Sequence, residues 1–300
     1  MEKVTINEVG LRDGIQAQPK FVATEQKIAI LADAIGAGLR HFEITSFVNP
    51  KAVPQMADAA ELCRRLPPLA DGEYTALVPN LRGYERAVES GVRSVAVVLC
   101  TTETMNQRNT NMSLAEAIAS GEVVVRRGRA DQARVRAYIA TAAGCPFEGK
   151  VDPAVVQALA DRMLAAGADE IAIADTIGAA NPAQMDDLLG RLIRAFGADR
   201  LAVHFHDTRG MGLALAWTAA QLGIRRFDSS IGGLGGCPFA PGASGNLATE
   251  DLVFMLGEAG YDTGVDMNAL ATAVNALERI FDRPVGGRIM RWYNSRRRLS

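Results

Sequence analysis

Residues 170–206 read EIAIADTIGAANPAQMDDLLGRLIRAFGADRLAVHFH. A short apolar run (170–175) leads to Asn181-Pro182, an Ala/Leu-rich periodic segment (182–196), Gly197 and a second apolar run (201–206). Asn ahead of Pro places a capping side chain before a first-turn proline, and a glycine after the last periodic residue stops a helix. The stretch is a strand–helix–strand unit, and the same unit recurs in both directions from it. Strands are expected at 3–9, 41–47, 73–79, 94–101, 134–141, 170–175, 201–206 and 226–231. Helices are expected at 24–38, 55–66, 81–90, 113–128, 153–167, 182–196, 211–222 and 246–259. Thr24 before Glu25 and Asp152 before Pro153 mark further helix starts, and Gly38, Gly91, Gly167 and Gly223 further ends.

Eight such units in about 250 residues predict an α/β fold of the (β/α)8 TIM-barrel type. A doubly wound sheet often carries a glycine-rich phosphate turn after its first strand. Here that turn is Gly10-Leu11-Arg12-Asp13-Gly14, which is polar and charged. Residues 267–282 predict one extra helix, and no Pro-, Gly- or Ser-rich linker divides the 300 residues. The expectation is a single domain over 1–300, with the barrel at about 3–260 and a C-terminal helix and tail at 261–300.

Hydrophobic residues make up 48% and charged residues 22%, the balance of a soluble enzyme and not of a disordered chain, a collagen or a coiled coil. Lys and Arg total 32 against 34 Asp and Glu, so no basic excess recruits nucleic acid. The dense basic run Arg296–Arg298 reads as a solvated tail. No run approaches the roughly 20 apolar residues of a membrane span. The first residues resemble neither a signal nor a transit peptide, so a cytoplasmic location is expected. Cys63, Cys100, Cys145 and Cys237 are widely spread and read as thiols.

Active sites of such barrels lie at the C-terminal ends of the strands. There the sequence gathers Arg12-Asp13-Gly14, Glu43 with Thr45-Ser46, Asp175-Thr176 and His204-Phe205-His206-Asp207. Two of only three histidines sit two apart in one strand, so both rings face one way, as half of a divalent-metal site. The third, His41, falls at the opposite end of the barrel, so the remaining ligands are oxygens. Asp13 is the first candidate. Asn246 is the second, since strand 8 closes onto strand 1. Two nitrogens with two or more oxygens suit Mg²⁺ or Mn²⁺, with Zn²⁺ or Co²⁺ as alternatives. Arg12 stands ready to stabilise an oxyanion. Glu43 and Asp175 read as buried carboxylates that pair with Arg12 or orient the ligands. The glycine-rich stretch 232–245 reads as a lid with Cys237 on it, either a proton donor or acceptor or a redox-sensitive thiol. Arg108, Asn109, Asn111 and Lys51 are candidates for meeting a nucleotide phosphate.

These residues resemble the 3-hydroxy-3-methylglutaryl-CoA lyase family, within the metal-dependent lyases and Claisen-type synthases built on a TIM barrel. The resemblance rests on Glu8-Val9-Gly10 with Arg12-Asp13-Gly14, Thr45-Ser46-Phe47-Val48, Val53-Pro54-Gln55-Met56, Pro79-Asn80-Leu81, Gly144 to Gly149, Asp175-Thr176-Ile177-Gly178, Val203 to Thr208 and Gly232 to Asp251. It implies an acyl-CoA substrate and Asp13, His204, His206 and Asn246 as metal ligands. It also implies Arg12 as the enolate-stabilising arginine, Cys237 as general acid/base, Glu43 and Asp175 as supporting carboxylates, and Asn109 near the acyl-CoA. The family often dimerises, and the resemblance leaves both a homodimer and a monomer open. The chain departs from the family at Leu11, at Pro19 and over 100–113. The implied reaction is retro-Claisen cleavage of 3-hydroxy-3-methylglutaryl-CoA, with Asp13 or His204 as the base. Alternatives are another 3-hydroxyacyl-CoA (citramalyl-like or longer branched), a Claisen-type synthase, and a catalytically silent metal-binding barrel.

Overall fold

The computed structural model of the chain describes residues 1–236 and 245–297. Eight parallel strands close into a barrel: β1 (Thr5–Glu8), β2 (His41–Ser46), β3 (Glu73–Leu77), β4 (Ser94–Cys100), β5 (Arg134–Ala140), β6 (Glu170–Asp175), β7 (Leu201–Phe205) and β8 (Arg226–Ser229). β8 returns to β1 in the register Thr5 to Arg226 through Glu8 to Ser229. The helices outside are α1 (Thr24–Gly36), α2 (Ala59–Arg64), α3 (Leu81–Glu89), α4 (Glu103–Thr110), α5 (Leu114–Ala130), α6 (Pro153–Ala166), α7 (Pro182–Phe196), α8 (Gly212–Gln221) and α9 (Thr249–Glu258). The TIM barrel read from the strand–helix repeat is the fold observed.

Strand alternation divides the residues between two environments. Val135, Ala137 and Ile139 of β5, and Val203 and Phe205 of β7, point outward into the main apolar core beneath the helices. The inward positions hold a small cluster of Ala96, Ala172, Ala174 and Ala202 around Tyr138. Opposite those alanines the interior is charged. At the N-terminal end, Glu170 of β6 takes Arg134 at 3.0 Å, Arg136 at 3.1 Å and also Arg226. His41 lines the same end, as its sequence position required. Burial opposes ionisation of Glu170, but the three guanidiniums outweigh it and hold its carboxyl below the usual range.

Asp152 and Asn181 cap α6 and α7 through Ala154 N–H and Gln184 N–H. Gly167, at φ +111°, ends α6 in the left-handed region. Thr24 does not cap α1. Ala23 is the N-cap, and the Thr24 hydroxyl donates to Asp58 at 2.8 Å. The helix expected at 55–66 is broken into a short turn, Pro54–Met56, and α2. The buried Lys27 ammonium sits at the break, on Gln55 O at 2.6 Å and Asp58 at 2.5 Å. Helix α4 was not anticipated, since its sequence has no apolar stripe. The buried Asn106 amide holds it instead, bonded to Cys100 N, Cys100 O and Thr102 O.

Beyond the barrel, the helix expected at 267–282 is α10 (Met267–Phe281). A second helix, α11 (Ile289–Arg297), lies where a tail was expected. The strand pair Glu2–Lys3 and Tyr261–Asp262 closes the outside of the N-terminal end. Among the described residues, Cys63, Cys100 and Cys145 are buried, and no helix is long and apolar enough to cross a membrane. Removing one partner of a buried charge cluster strands the others. Glu170→Ala should therefore lower the unfolding free energy by about 3–5 kcal/mol, read by urea denaturation. An unchanged midpoint would show that the arginines find solvent.

Candidate metal centre

Two-residue spacing on β7 and its extension puts both imidazoles inside the C-terminal mouth, where each is buried. Their Nε2 atoms lie 3.2 Å apart. A π-helical turn, Gly10–Gly14, follows β1 and swings Asp13 over them. Asp13 Oδ2 is 3.5 Å from His206 Nε2 and 3.8 Å from His204 Nε2. Ligand atoms of these three residues all lie within 4.8 Å of one another.

Asn246 arrives from the segment before α9 and pairs with His206 as an isolated antiparallel bridge. Its Nδ2 donates to Asp13 Oδ2 at 2.8 Å and to Leu234 O at 3.1 Å. Its Oδ1 is buried without a hydrogen-bond partner. The backbone must approach closely for this. A Cβ on Gly235 would stand 2.5 Å from Asn246 Nδ2, and one on Gly245 would stand 2.0 Å from Gly233 O.

Two imidazole nitrogens and a carboxylate oxygen thus converge, and the Asn246 amide adjoins them with Nδ2 on Asp13 and its Oδ1 left without a donor. A buried acceptor without a donor is costly, and an amide turned to bring Oδ1 toward Asp13 and the histidines would let one cation satisfy it with them. The N2O2 donor set fits a divalent ion. Outer contacts support this role. His204 Nδ1 is 3.1 Å from Asp228 Oδ2; with the proton on Nδ1, Nε2 keeps its lone pair toward the centre.

Arg12 joins the centre to a charged network in the barrel interior. Its Nη1 contacts Asp13 Oδ1 and its Nε contacts Glu43 Oε1. Tyr138 Oη lies 2.9 Å from Glu43 Oε2 and 2.8 Å from Asp228 Oδ2. Asp228 also takes Asn7 at 2.9 Å and Arg136 at 2.7 Å. Burial works against charge throughout, yet Arg12 and the two histidines hold Asp13 well below the usual carboxylate range. Arg136 and His204 do the same for Asp228. Burial pushes the Tyr138 phenol well up, so it stays a proton donor.

The structure brings together Asp13, His204, His206 and Asn246, and sets Arg12 and Glu43 against them. Asp175 is placed differently. Its buried carboxylate accepts Ala179 N–H at 2.8 Å and Ala180 N–H at 2.9 Å, and so shapes the loop before α7. Asn109 sits exposed on α4, its amide 3.8 Å from Cys100 Sγ. Cys237 and the body of the expected lid lie outside the described residues. Sequence reasoning missed Asn7, Arg136 and Tyr138, and left Asp228 without a role. The alternation Arg134-Val135-Arg136-Ala137-Tyr138 was the signal, because barrel interiors are ordinarily filled by branched apolar side chains.

Two further carboxylates brace the mouth. Glu8 accepts Gly10 N–H at 2.8 Å, Ile231 N–H at 2.9 Å and the Thr249 hydroxyl at 2.6 Å. Glu250 accepts Gly232 N–H at 3.1 Å and Gly287 N–H at 2.5 Å. Burial, only partly offset by these donors, raises each carboxyl to about 7.

Two outcomes follow for this centre. Asn246→Ala should weaken Mn²⁺ binding at least about 10-fold by isothermal titration, and unchanged affinity would remove it as a ligand. A carboxyl raised from about 4.5 to about 7 on folding keeps its proton only in the native state. Stability is then full below pH 4.5 and falls as pH rises to 7, by at most about 1.4 kcal/mol per pH unit per group. Urea unfolding should show this fall flattened in Glu8→Gln; an equal slope in both proteins would contradict it.

The chain matches the HMGL-like family model over residues 3–277. It is 42% identical over 294 residues to the hydroxymethylglutaryl-CoA lyase YngG of Bacillus subtilis (strain 168), covering 98% of each chain. Its fold superposes on the crystal structure of the Bacillus subtilis HMG-CoA lyase with a TM-score of 0.95, covering 98% of this chain and 99% of that one. An HMG-CoA lyase from Acinetobacter baumannii, in complex with coenzyme A and 3-methylmalate, gives a TM-score of 0.93 at 37% identity, covering 96% and 94%. A match across nearly the whole chain, with the Arg-Asp turn, both histidines and the asparagine in place, makes this protein a member of the HMGL-like family.

Proposed function

We propose that the protein is a carbon–carbon lyase that cleaves 3-hydroxy-3-methylglutaryl-CoA to acetyl-CoA and acetoacetate with a divalent cation, Mg²⁺ or Mn²⁺. The observation that carries this reading is the convergence of Asp13, His204 and His206, with the Asn246 amide against Asp13 and a buried arginine one residue away. Relatives that carry the hydroxymethylglutaryl-CoA lyase name along the whole chain support the substrate.

Retro-Claisen cleavage needs a base for an alcohol, a sink for an enolate and a proton for its carbon. A divalent cation at this centre supplies Lewis acidity that makes a ligated hydroxyl more acidic. Asp13 or His204, whose ligand atoms face the same point, takes the C3 hydroxyl proton. The C2–C3 bond then breaks. C3 becomes the ketone of acetoacetate, and the electron pair passes to the α-carbon of the thioester as an enolate. Arg12 carries two carboxylate partners, Glu43 on Nε and Asp13 on Nη1, which fix its plane. Its remaining N–H groups are available for negative charge on the thioester oxygen. The family resemblance makes Cys237 the donor of the proton to the α-carbon, so one proton leaves the hydroxyl, one reaches the carbon, and the balance is neutral. Asn109, at the end of α4, belongs on this reading to the acyl-CoA approach.

A coupled assay with 3-hydroxy-3-methylglutaryl-CoA tests this. Acetyl-CoA and acetoacetate should appear together with Mg²⁺ or Mn²⁺ and cease with chelator. Arg12→Gln should lower kcat by about 10²–10³, the usual loss for one oxyanion donor. Cys237→Ala should lose about 10²–10⁴ of turnover while binding Mn²⁺ like the parent. Metal binding with no cleavage of this thioester would move the substrate to another 3-hydroxyacyl-CoA.

A further inference from the structure

The segment 282–290, from the end of α10 into the first turn of α11, reaches all three loops that carry the candidate ligands. At the first loop, Arg283 donates to Gln18 Oε1 at 2.8 Å, and the same amide group of Gln18 donates through Nε2 to Gly14 O at 3.1 Å. Gly14 ends the π turn that holds Asp13. At the eighth loop, Gly286 N–H donates to Gly232 O at 3.0 Å. Glu250 spans the same junction, with one carboxylate oxygen on Gly232 N–H and the other on Gly287 N–H. Asn246 and the stem that fixes it, Gly233 to Gly235, adjoin that junction. At the seventh loop, Arg288 stands 3.7 Å from Asp207, the residue after His206.

The arm is anchored from below. Asp251, in the first turn of α9, accepts Arg288 N–H and Ile289 N–H, both at 2.9 Å, and so caps α11 from another helix. Gly287 passes so close that a Cβ there would sit 2.2 Å from Asp251 Oδ1. Two adjacent acidic residues of α9, Glu250 and Asp251, thus each accept from the arm's backbone. A barrel needs no such segment to close, since β8 already pairs with β1.

We propose that the 282–290 arm is a clasp that sets the spacing of Asp13 and Asn246 across the mouth, with Arg283 and Glu250 as positioning residues for the metal centre. The inference rests on the divalent-metal reading of that centre, and not on which thioester is cleaved. Residues that orient ligands from outside typically govern affinity by about 10–100-fold.

The test is Mn²⁺ affinity by isothermal titration, in the full-length protein, far below its melting temperature. Arg283→Ala should raise the Kd about 10-fold, and Arg283→Lys should recover part of it, while the melting temperature stays within a few degrees. Gly287→Val should raise Kd at least as much and speed hydrogen exchange at the Arg288 and Ile289 amides. An unchanged Kd in Gly287→Val with those amides freed overturns the clasp. If Gly287→Val does not fold, an unchanged Kd in Arg283→Ala overturns it alone. A parent protein that binds no Mn²⁺ overturns both the clasp and the metal reading. Normal Mn²⁺ behaviour with no thioester cleavage overturns only the substrate assignment.

Discussion

Three ligand atoms converge at the mouth of this barrel, His204 Nε2, His206 Nε2 and Asp13 Oδ2, with the Asn246 amide beside them. Asn246 Nδ2 covers Asp13 Oδ2 and leaves its own Oδ1 buried without a donor, at a desolvation cost. A divalent cation turns the same geometry into a favourable one. Much of the surrounding structure serves to hold these atoms in place. The π turn holds Asp13 over the histidines. The glycine stem admits Asn246 only because Gly235 and Gly245 lack side chains. Asp228 fixes the His204 ring, and Arg12 offsets the carboxylate charge.

A chain of charge runs from that mouth to the other end of the barrel. Arg12 meets Glu43, Tyr138 lies between Glu43 and Asp228, and Arg136 links Asp228 to Glu170. The Tyr138 hydroxyl has one proton for two carboxylates, so the arginine beside each acid is needed to stabilise the pair. This interior departs from the branched apolar layers common in such barrels. Apolar burial is displaced to the strand–helix layer, where Val203, Phe205 and Phe227 pack. The division lets one set of strand positions secure the fold while the other tunes the site.

Most of the fold was legible in the sequence because strand and helix periods alternate cleanly and glycines and prolines mark the boundaries. All eight barrel strands lie where expected. The exceptions have physical reasons. α4 is held by one buried amide, Asn106, and no periodic stripe announces it. α11 is capped by Asp251 from another helix, a partner no local pattern reveals. At the site, the two-residue spacing of His204 and His206 disclosed their shared face, and barrel closure disclosed Asn246. Asp175 reads as a ligand-supporting carboxylate from its strand-end position. Its hydrogen bonds go to the backbone of its own loop. Tyr138 and Asp228 became visible only when inward strand positions were set side by side.

The claim on which the account turns is that the two histidines, and not solvent or carboxylates alone, hold the cation. Electron spin echo envelope modulation of the Mn²⁺-loaded protein reads directly bound imidazole nitrogen. The account predicts modulation from two coordinated histidine nitrogens, with one lost in His204→Gln and one in His206→Gln. Bound Mn²⁺ with no nitrogen coupling would contradict it, and would place the metal elsewhere in the protein.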